Sequence, residues 1–124
     1  MIYLRQLWKS FHHALCGIWT VLGTEQSFRL QVSVAIVVVL VAWGLQVSPW
    51  AWVVLLLLIG AVLVLELLNS VFERIVDTFR PRLHPAIKDM KDMMAGVVLL
   101  VSIFAAIIGS IIFWPYLLPL FLHL

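Results

Sequence analysis

The sequence predicts an all-α membrane protein in which an N-terminal amphipathic surface helix precedes three transmembrane helices. Three observations lead there. Of its 124 residues, 65% are hydrophobic and 11% charged, against about 45–50% and about 25% in soluble domains. Every Lys, Arg, Asp and Glu falls within 5–29 or 66–92, so that 30–65 and 93–124 carry no formal charge apart from any on His123. The apolar runs reach, or nearly reach, the roughly 20 residues that a helix needs to cross a bilayer. Strands of a barrel would alternate polar and apolar residues, which these runs do not. The length suits one membrane-embedded domain over 1–124.

The first element, about 4–22, places Leu4, Leu7, Trp8, Phe11, Leu15, Ile18 and Leu22 at helical spacing, with Arg5, Lys9, His12 and His13 largely opposite. A basic face beside a Trp/Leu/Phe face suits a helix lying on an anionic membrane surface, among membrane lipids; packing against the chain's own helices is the other reading. Gly23-Thr24 reads as a break, with Thr24 a candidate cap for the next helix. The first span runs over about 28–47 and ends at a short Ser48-Pro49 turn. The second starts near Trp50, is apolar to Leu65 and continues in register through Glu66 and Glu73 to Asp77, with a span of about 50–73. Pro81 and Pro85 bracket a connection, and a last helix from near Ala86 becomes apolar after Asp92, giving a span of about 92–114 whose end Pro115 and Pro119 should disturb.

All eight basic residues lie in the N-terminal segment or in 74–91, and none in the 46–50 turn. By the positive-inside rule the N-terminus and the 74–91 connection are cytoplasmic, with the short turn and the C-terminus outside. The net charge is only +2, and no nucleic-acid partner is expected. Cys16 stands alone, which excludes an intramolecular disulfide and a Cys-based metal site; it reads as a small buried apolar residue. Lys9, His12, His13 and Glu25 break the N-terminal apolar stretch, so no cleavable signal peptide is expected. Walker, kinase glycine-rich, dinucleotide and Gly-x-Ser-x-Gly patterns are missing, and His12, His13 and His84 lack metal-ligand spacing.

The polar residues of the second helix form a pattern. At about 100° per residue, Glu66, Asn69, Glu73 and Asp77 fall on one stripe roughly 80° wide. Sixteen steps of about 1.5 Å from Trp50 put Glu66 just inside the cytoplasmic edge of a hydrocarbon layer about 30 Å thick. A carboxylate there meets lipid head groups on one side and water-soluble reagents on the other. Glu66 and Asn69 could instead be interhelical glue, and Glu73 and Asp77 a solvated helix end paired with Arg74 or Arg80. A second cluster, Lys88, Lys91 and Asp92, opens the third span, with Lys88 and Asp92 sharing a face at i, i+4; an ordinary salt-bridged helix end is its plainer explanation. Glu25, followed by Phe28 and Arg29, is the third element. Several carboxylates with a lysine at one interface suit a divalent metal and a polyphosphate. A channel or transporter subunit would place ionisable groups across the membrane rather than at one interface, and a non-catalytic assembly subunit remains the other alternative.

Glu66-Leu67-Leu68-Asn69-Ser70-Val71-Phe72-Glu73, with Val76-Asp77, resembles the signature of the prokaryotic diacylglycerol kinase family, which includes the undecaprenol kinases of Gram-positive bacteria. Lys91-Asp92-Met93-Met94-Ala95-Gly96-Val97-Val98-Leu99 is similar to its second signature, His84-Pro85 to its connection and Thr24-Glu25-Gln26-Ser27-Phe28-Arg29 to its N-terminal element, in order from about Phe11 to Ile112. The resemblance implies a homotrimer with composite sites in a bacterial inner membrane, and ATP-dependent phosphorylation of a lipid alcohol, undecaprenol or diacylglycerol. It implies that Glu66 is the general base, that Glu25 and Glu73 are ligands of Mg²⁺ (magnesium) with its nucleotide, and that Asn69, Asp77, Lys91 and Asp92 support the ATP site. It further implies that Phe28, Arg29, Glu66 and Ala95 meet the lipid. Met93-Met94 departs from the small residues of Gram-negative members, Arg80-Pro81-Arg82 adds positive charge, and Ala95-Gly96 and His84-Pro85 look more like the undecaprenol-kinase branch. Gln6 and His13 do not match the residues some members use at those positions.

Overall fold

The computed structural model describes residues 3–79 and 85–124, so the expectations for Arg80, Pro81, Arg82 and His84 lie outside the described residues. Among the described residues four helices follow one another: α1 (Leu4–Thr24), α2 (Gln26–Gly44), α3 (Pro49–Thr78) and α4 (Pro85–Leu122). The last three are each long and apolar enough to cross a membrane. α3 is the centre of the packing: α4 lies along it most extensively, α2 packs on it as well, and α1 touches α2 and α3.

A single extended residue, Glu25 (φ −106°, ψ 112°), separates α1 from α2. Thr24 does not cap α2. It is the last helical residue of α1, and its hydroxyl donates back to the Thr20 carbonyl at 2.8 Å, as a β-hydroxyl inside a helix does. Cys16 is exposed rather than buried, because α1 stands away from the bundle and buries only Val21; the Cys16 sulfur lies 3.7 Å from His12 Nε2.

Paired stop and start signals make the α2–α3 turn. Gln46 is left-handed (φ 51°); its N–H donates to the Trp43 carbonyl at 3.1 Å and that of Val47 to the Ala42 carbonyl at 3.3 Å. This is a Schellman ending, which satisfies carbonyls that the helix terminus would leave open. Ser48 then caps α3, its Oγ accepting from the Ala51 N–H at 3.2 Å, with Pro49 in the first turn, where its missing N–H costs nothing. Around this turn sits the apolar core: Ala42, Val47, Ala51 and Leu55, flanked by Ile112, Phe113 and Tyr116 of α4. The Tyr116 hydroxyl accepts from the Ser48 N–H at 3.0 Å and ties α4 to the turn.

That tie bears on a difference from expectation. α4 does not end near Trp114; it remains helical through Pro115 and Pro119 to Leu122. Proline's fixed φ is itself helical, and what each proline removes is one N–H and its bond. Spanning helices tolerate this loss, and Tyr116 holds the stretch in place.

The bundle is open. Its accessible surface is 9730 Å², whereas a compact fold of this mass exposes roughly 6,700 Å². α4, at 38 residues or about 57 Å, buries only Val98. Most apolar side chains thus point outward, as a chain solvated by lipid requires.

Ala42 is fully enclosed (0% exposed) where α2 meets α3. Ala42→Leu is expected to destabilise the protein by about 1–3 kcal/mol through overpacking, read as a lowered unfolding temperature in detergent; an unchanged midpoint would show that this contact does not hold the two helices together.

Candidate active site

Among the described residues, the buried polar side chains are Glu66 (5% exposed), Asn69 (8%) and Ser70 (1%), all on one turn of α3. The uninterrupted helix places them there. After the apolar run to Leu65, α3 continues to Thr78 without a break, so Glu66, Asn69, Glu73 and Asp77 keep their common stripe. Ser70 lies about 40° round from Glu66, just beyond the edge of that stripe, and its hydroxyl donates to the Glu66 carbonyl at 3.1 Å. Asn69 Oδ1 is buried without a hydrogen-bond partner, an acceptor held for something other than the helix itself.

Two segments distant in sequence converge on this turn. The carboxylates of Glu73 and Glu25 lie within electrostatic range of Glu66. Glu25 arrives because the one-residue joint between α1 and α2 turns it towards α3, where Arg74 Nη2 lies 3.5 Å from its Oε1 and also donates to Thr24 Oγ1. From α4, Lys91 Nζ sits 3.6 Å from Asp77 Oδ1, pinning the start of α4 to the end of α3. Lys88 and Asp92 pair with each other at 3.5 Å along α4. With both side chains largely in solvent, that pair contributes little to stability.

The structure therefore brings Glu25, Glu66 and Glu73 together and sets Asp77 with Lys91 beside them. Asp92 and Ala95 are exposed on α4. Phe28 is buried (5% exposed), and Arg29 donates from Nη1 to the carbonyls of Gly23 (3.0 Å) and Leu22 (3.5 Å) at the end of α1. Arg74 pairs with neither Glu73 nor Asp77, because it lies about 80° round the helix from Glu66, on the side that faces the α1–α2 joint. Sequence reasoning passed over Thr24 as a partner, Arg74 as a bridge and Ser70 as a neighbour of the stripe; of these only Ser70, about 20° beyond the edge of the polar arc, had a signal in the helical spacing.

Among the described residues, no three His, Cys, Asp or Glu side chains form a group that could hold a metal ion by themselves. A cation such as Mg²⁺ takes one or two carboxylates and completes its shell with phosphate oxygens and water, so a smaller set of carboxylates is chemically compatible with it.

A buried unsatisfied acceptor costs about 1–3 kcal/mol. Asn69→Leu is therefore expected to raise the unfolding temperature even as it empties the site of a polar group. A fall in thermal stability would mean that the Asn69 amide is part of the folded framework instead.

The family profile described as prokaryotic diacylglycerol kinase matches residues 12–113. Over 112 residues the chain is 38% identical to the undecaprenol kinase of Bacillus subtilis, covering 90% of this chain and 91% of that one. It is 37% identical over 112 residues to a diacylglycerol kinase of Synechocystis, covering 90% of this chain and 64% of that one. It is 33% identical over 93 residues to the diacylglycerol kinase of Escherichia coli, covering 74% and 75%. With four helices, three of them membrane-spanning in length and character, and its matching signatures gathered at one end of the bundle, the chain belongs to the prokaryotic diacylglycerol kinase family.

Proposed function

We propose that the chain is an ATP-dependent lipid kinase that phosphorylates the hydroxyl of undecaprenol or diacylglycerol at the cytoplasmic face of a bacterial inner membrane, with the whole of 1–124 acting as one domain. The observation that carries this reading is the gathering of Glu25, Glu66 and Glu73 at one end of an apolar bundle, with the Asp77–Lys91 pair joining α3 to α4 at the end of the same stripe. Lipid and water meet there, as a reaction between a lipid hydroxyl and a soluble phosphoryl donor requires. A channel or transporter subunit is disfavoured by the charge-free stretches 30–65 and 93–124, and a non-catalytic assembly role by the named kinases to which the chain is similar.

The roles are those that the family resemblance implies; burial and charge support those of Glu66 and Lys91. Glu66 is the one buried carboxylate among the described residues, at the end of the apolar run of its helix. It takes the proton from that hydroxyl as the oxygen forms a bond to the γ-phosphorus and the bond from that phosphorus to the β–γ bridging oxygen breaks. The proton on Glu66 then returns to water and ADP leaves. Glu25 and Glu73 are the residues that would hold Mg²⁺, which when bound offsets the charge of the transferring phosphoryl group. Asn69, Asp77, Lys91 and Asp92 line the nucleotide side, Lys91 supplying positive charge to the phosphates. Phe28, Arg29 and Ala95 belong to the lipid side. Positioning and electrostatics account for most of the rate.

A homotrimer with sites shared between subunits fits the open bundle, since α4 buries a single residue within its own chain. α1, with Leu7, Trp8, Phe11 and Leu15 exposed, would lie on the cytoplasmic membrane surface.

General-base assistance contributes about 10²–10⁴-fold. Glu66→Gln is expected to abolish turnover while leaving Mg-ATP binding nearly intact; activity above about a tenth of wild type would remove Glu66 from that role. Glu73→Gln should weaken nucleotide binding in a way that added Mg²⁺ partly restores, and an unchanged affinity would refute its assignment. Labelled ATP offered to the purified protein with undecaprenol and with diacylglycerol in parallel identifies the acceptor, and transfer to neither lipid would defeat the kinase reading.

A further inference from the structure

The joint between α1 and α2 is held by two arginines with different commitments. The Arg29 guanidinium is spent on the backbone, on the carbonyls of Leu22 and Gly23. Arg74 reaches across from α3 to Thr24 Oγ1 and Glu25 Oε1, and makes both contacts through one nitrogen, Nη2. Its pairing with Glu25 is single-pointed, at 3.5 Å, and the two side chains are 45% and 27% exposed. A guanidinium carries five N–H donors in a planar fork that matches phosphate, and among the described residues only Nη2 of this one has partners.

Charge makes this arrangement specific to one state of the protein. The site gathers four acids, Glu25, Glu66, Glu73 and Asp77, while the described cations reaching them are Arg74 and Lys91. If Glu25 ligates a divalent cation, as the kinase reading has it, Arg74 faces a repelling charge where it had an attracting one. Its contact with Glu25 and the binding of metal by Glu25 draw on the same carboxylate charge. An incoming polyphosphate removes the conflict, because it offers Arg74 new anionic partners as Glu25 leaves.

We propose that Arg74 is a phosphate-binding residue of the nucleotide site that is parked on Glu25 in the nucleotide-free protein, and that Mg-nucleotide binding exchanges the partners: Glu25 to the metal, Arg74 to a phosphate oxygen. Arg74 thereby lowers the affinity of Glu25 for metal alone and raises that of the site for metal together with nucleotide. This rests on the lipid-kinase reading and adds a residue and an order of events to it.

The test is equilibrium binding by the full-length protein in detergent or nanodiscs, with two probes: Mg²⁺ alone, and Mg²⁺ with a non-hydrolysable ATP analogue. Arg74→Ala is expected to bind Mg²⁺ alone about fivefold more tightly and the Mg-analogue about tenfold more weakly, the tenfold loss corresponding to one lost charge-assisted contact. A purely structural role would weaken both together, and that result, or an unchanged analogue affinity, overturns the proposal. Arg74→Gln keeps a donor for Thr24 and so guards against collapse of the joint. The same opposed shifts in this variant support the proposal, and wild-type analogue affinity in it would show that the positive charge is not needed and overturn it. Arg74→Lys should stay within about threefold of wild type for the analogue, since a lysine also binds phosphate as a point charge; a loss as large as that of Arg74→Ala counts against phosphate contact. Failure of the wild-type protein to bind the analogue at all would defeat the kinase reading itself, which separates that failure from failure of the exchange.

Discussion

Glu66 is only 5% exposed, on a helix whose preceding turns are wholly apolar, and a charge at such a place costs on the order of 2.5–3.5 kcal/mol when nothing pairs with it. The surroundings show how the molecule accommodates that cost. α3 continues unbroken past Glu66, so Asn69, Ser70, Glu73 and Asp77 follow in fixed register. Ser70 donates to the backbone carbonyl of Glu66. The nearby acids Glu25 and Asp77 have cations against them, Arg74 and Lys91; among the described residues no cation is placed against Glu66. A buried acid kept without a countercharge is a feature to expect where the acid acts on a substrate rather than on the fold.

The two ends of the bundle divide the work. The uncharged end holds the apolar core of Ala42, Val47, Ala51 and Leu55, a Schellman ending, a serine cap and the Tyr116–Ser48 hydrogen bond. These are satisfied, close-packed contacts. The charged end also buries apolar side chains, Val21, Phe28 and Val76, and adds ion pairs of 3.5–3.6 Å between exposed or partly exposed side chains, which contribute about 0–1 kcal/mol each. Pairs that weak exchange at low cost, so the charged side chains can change partners while the helices stay packed.

The openness of the single chain belongs to the same design. With most of its apolar surface turned outward, the bundle has no core large enough to enclose a nucleotide and a lipid. Its buried polar side chains gather at one edge, where Glu66 is enclosed while Glu25 is partly exposed and Asp77 exposed. The amide oxygen of Asn69, three residues on from Glu66, is buried and unpartnered among the described residues.

Much of this was legible in the sequence, and the reason is periodicity. Charge-free runs of spanning length, the Ser48-Pro49 start of α3 and the Glu66–Asn69–Glu73–Asp77 stripe all depend on spacing within one helix, which 3.6 residues per turn converts directly into geometry. The chain order alone also set Lys88 against Asp92. What the sequence could not carry was the rotation of one helix relative to another. That Arg74 meets Thr24 and Glu25 rather than Glu73 or Asp77, that Arg29 closes the end of α1, and that Lys91 finds Asp77 depend on the azimuths at which α1, α2 and α4 dock on α3. Likewise Cys16 is exposed because α1 stands off the bundle, and α4 runs on through Pro115 and Pro119, with Tyr116 between them bonded to a turn 68 residues earlier. Within a helix the covalent repeat determines the neighbours; between helices only packing does.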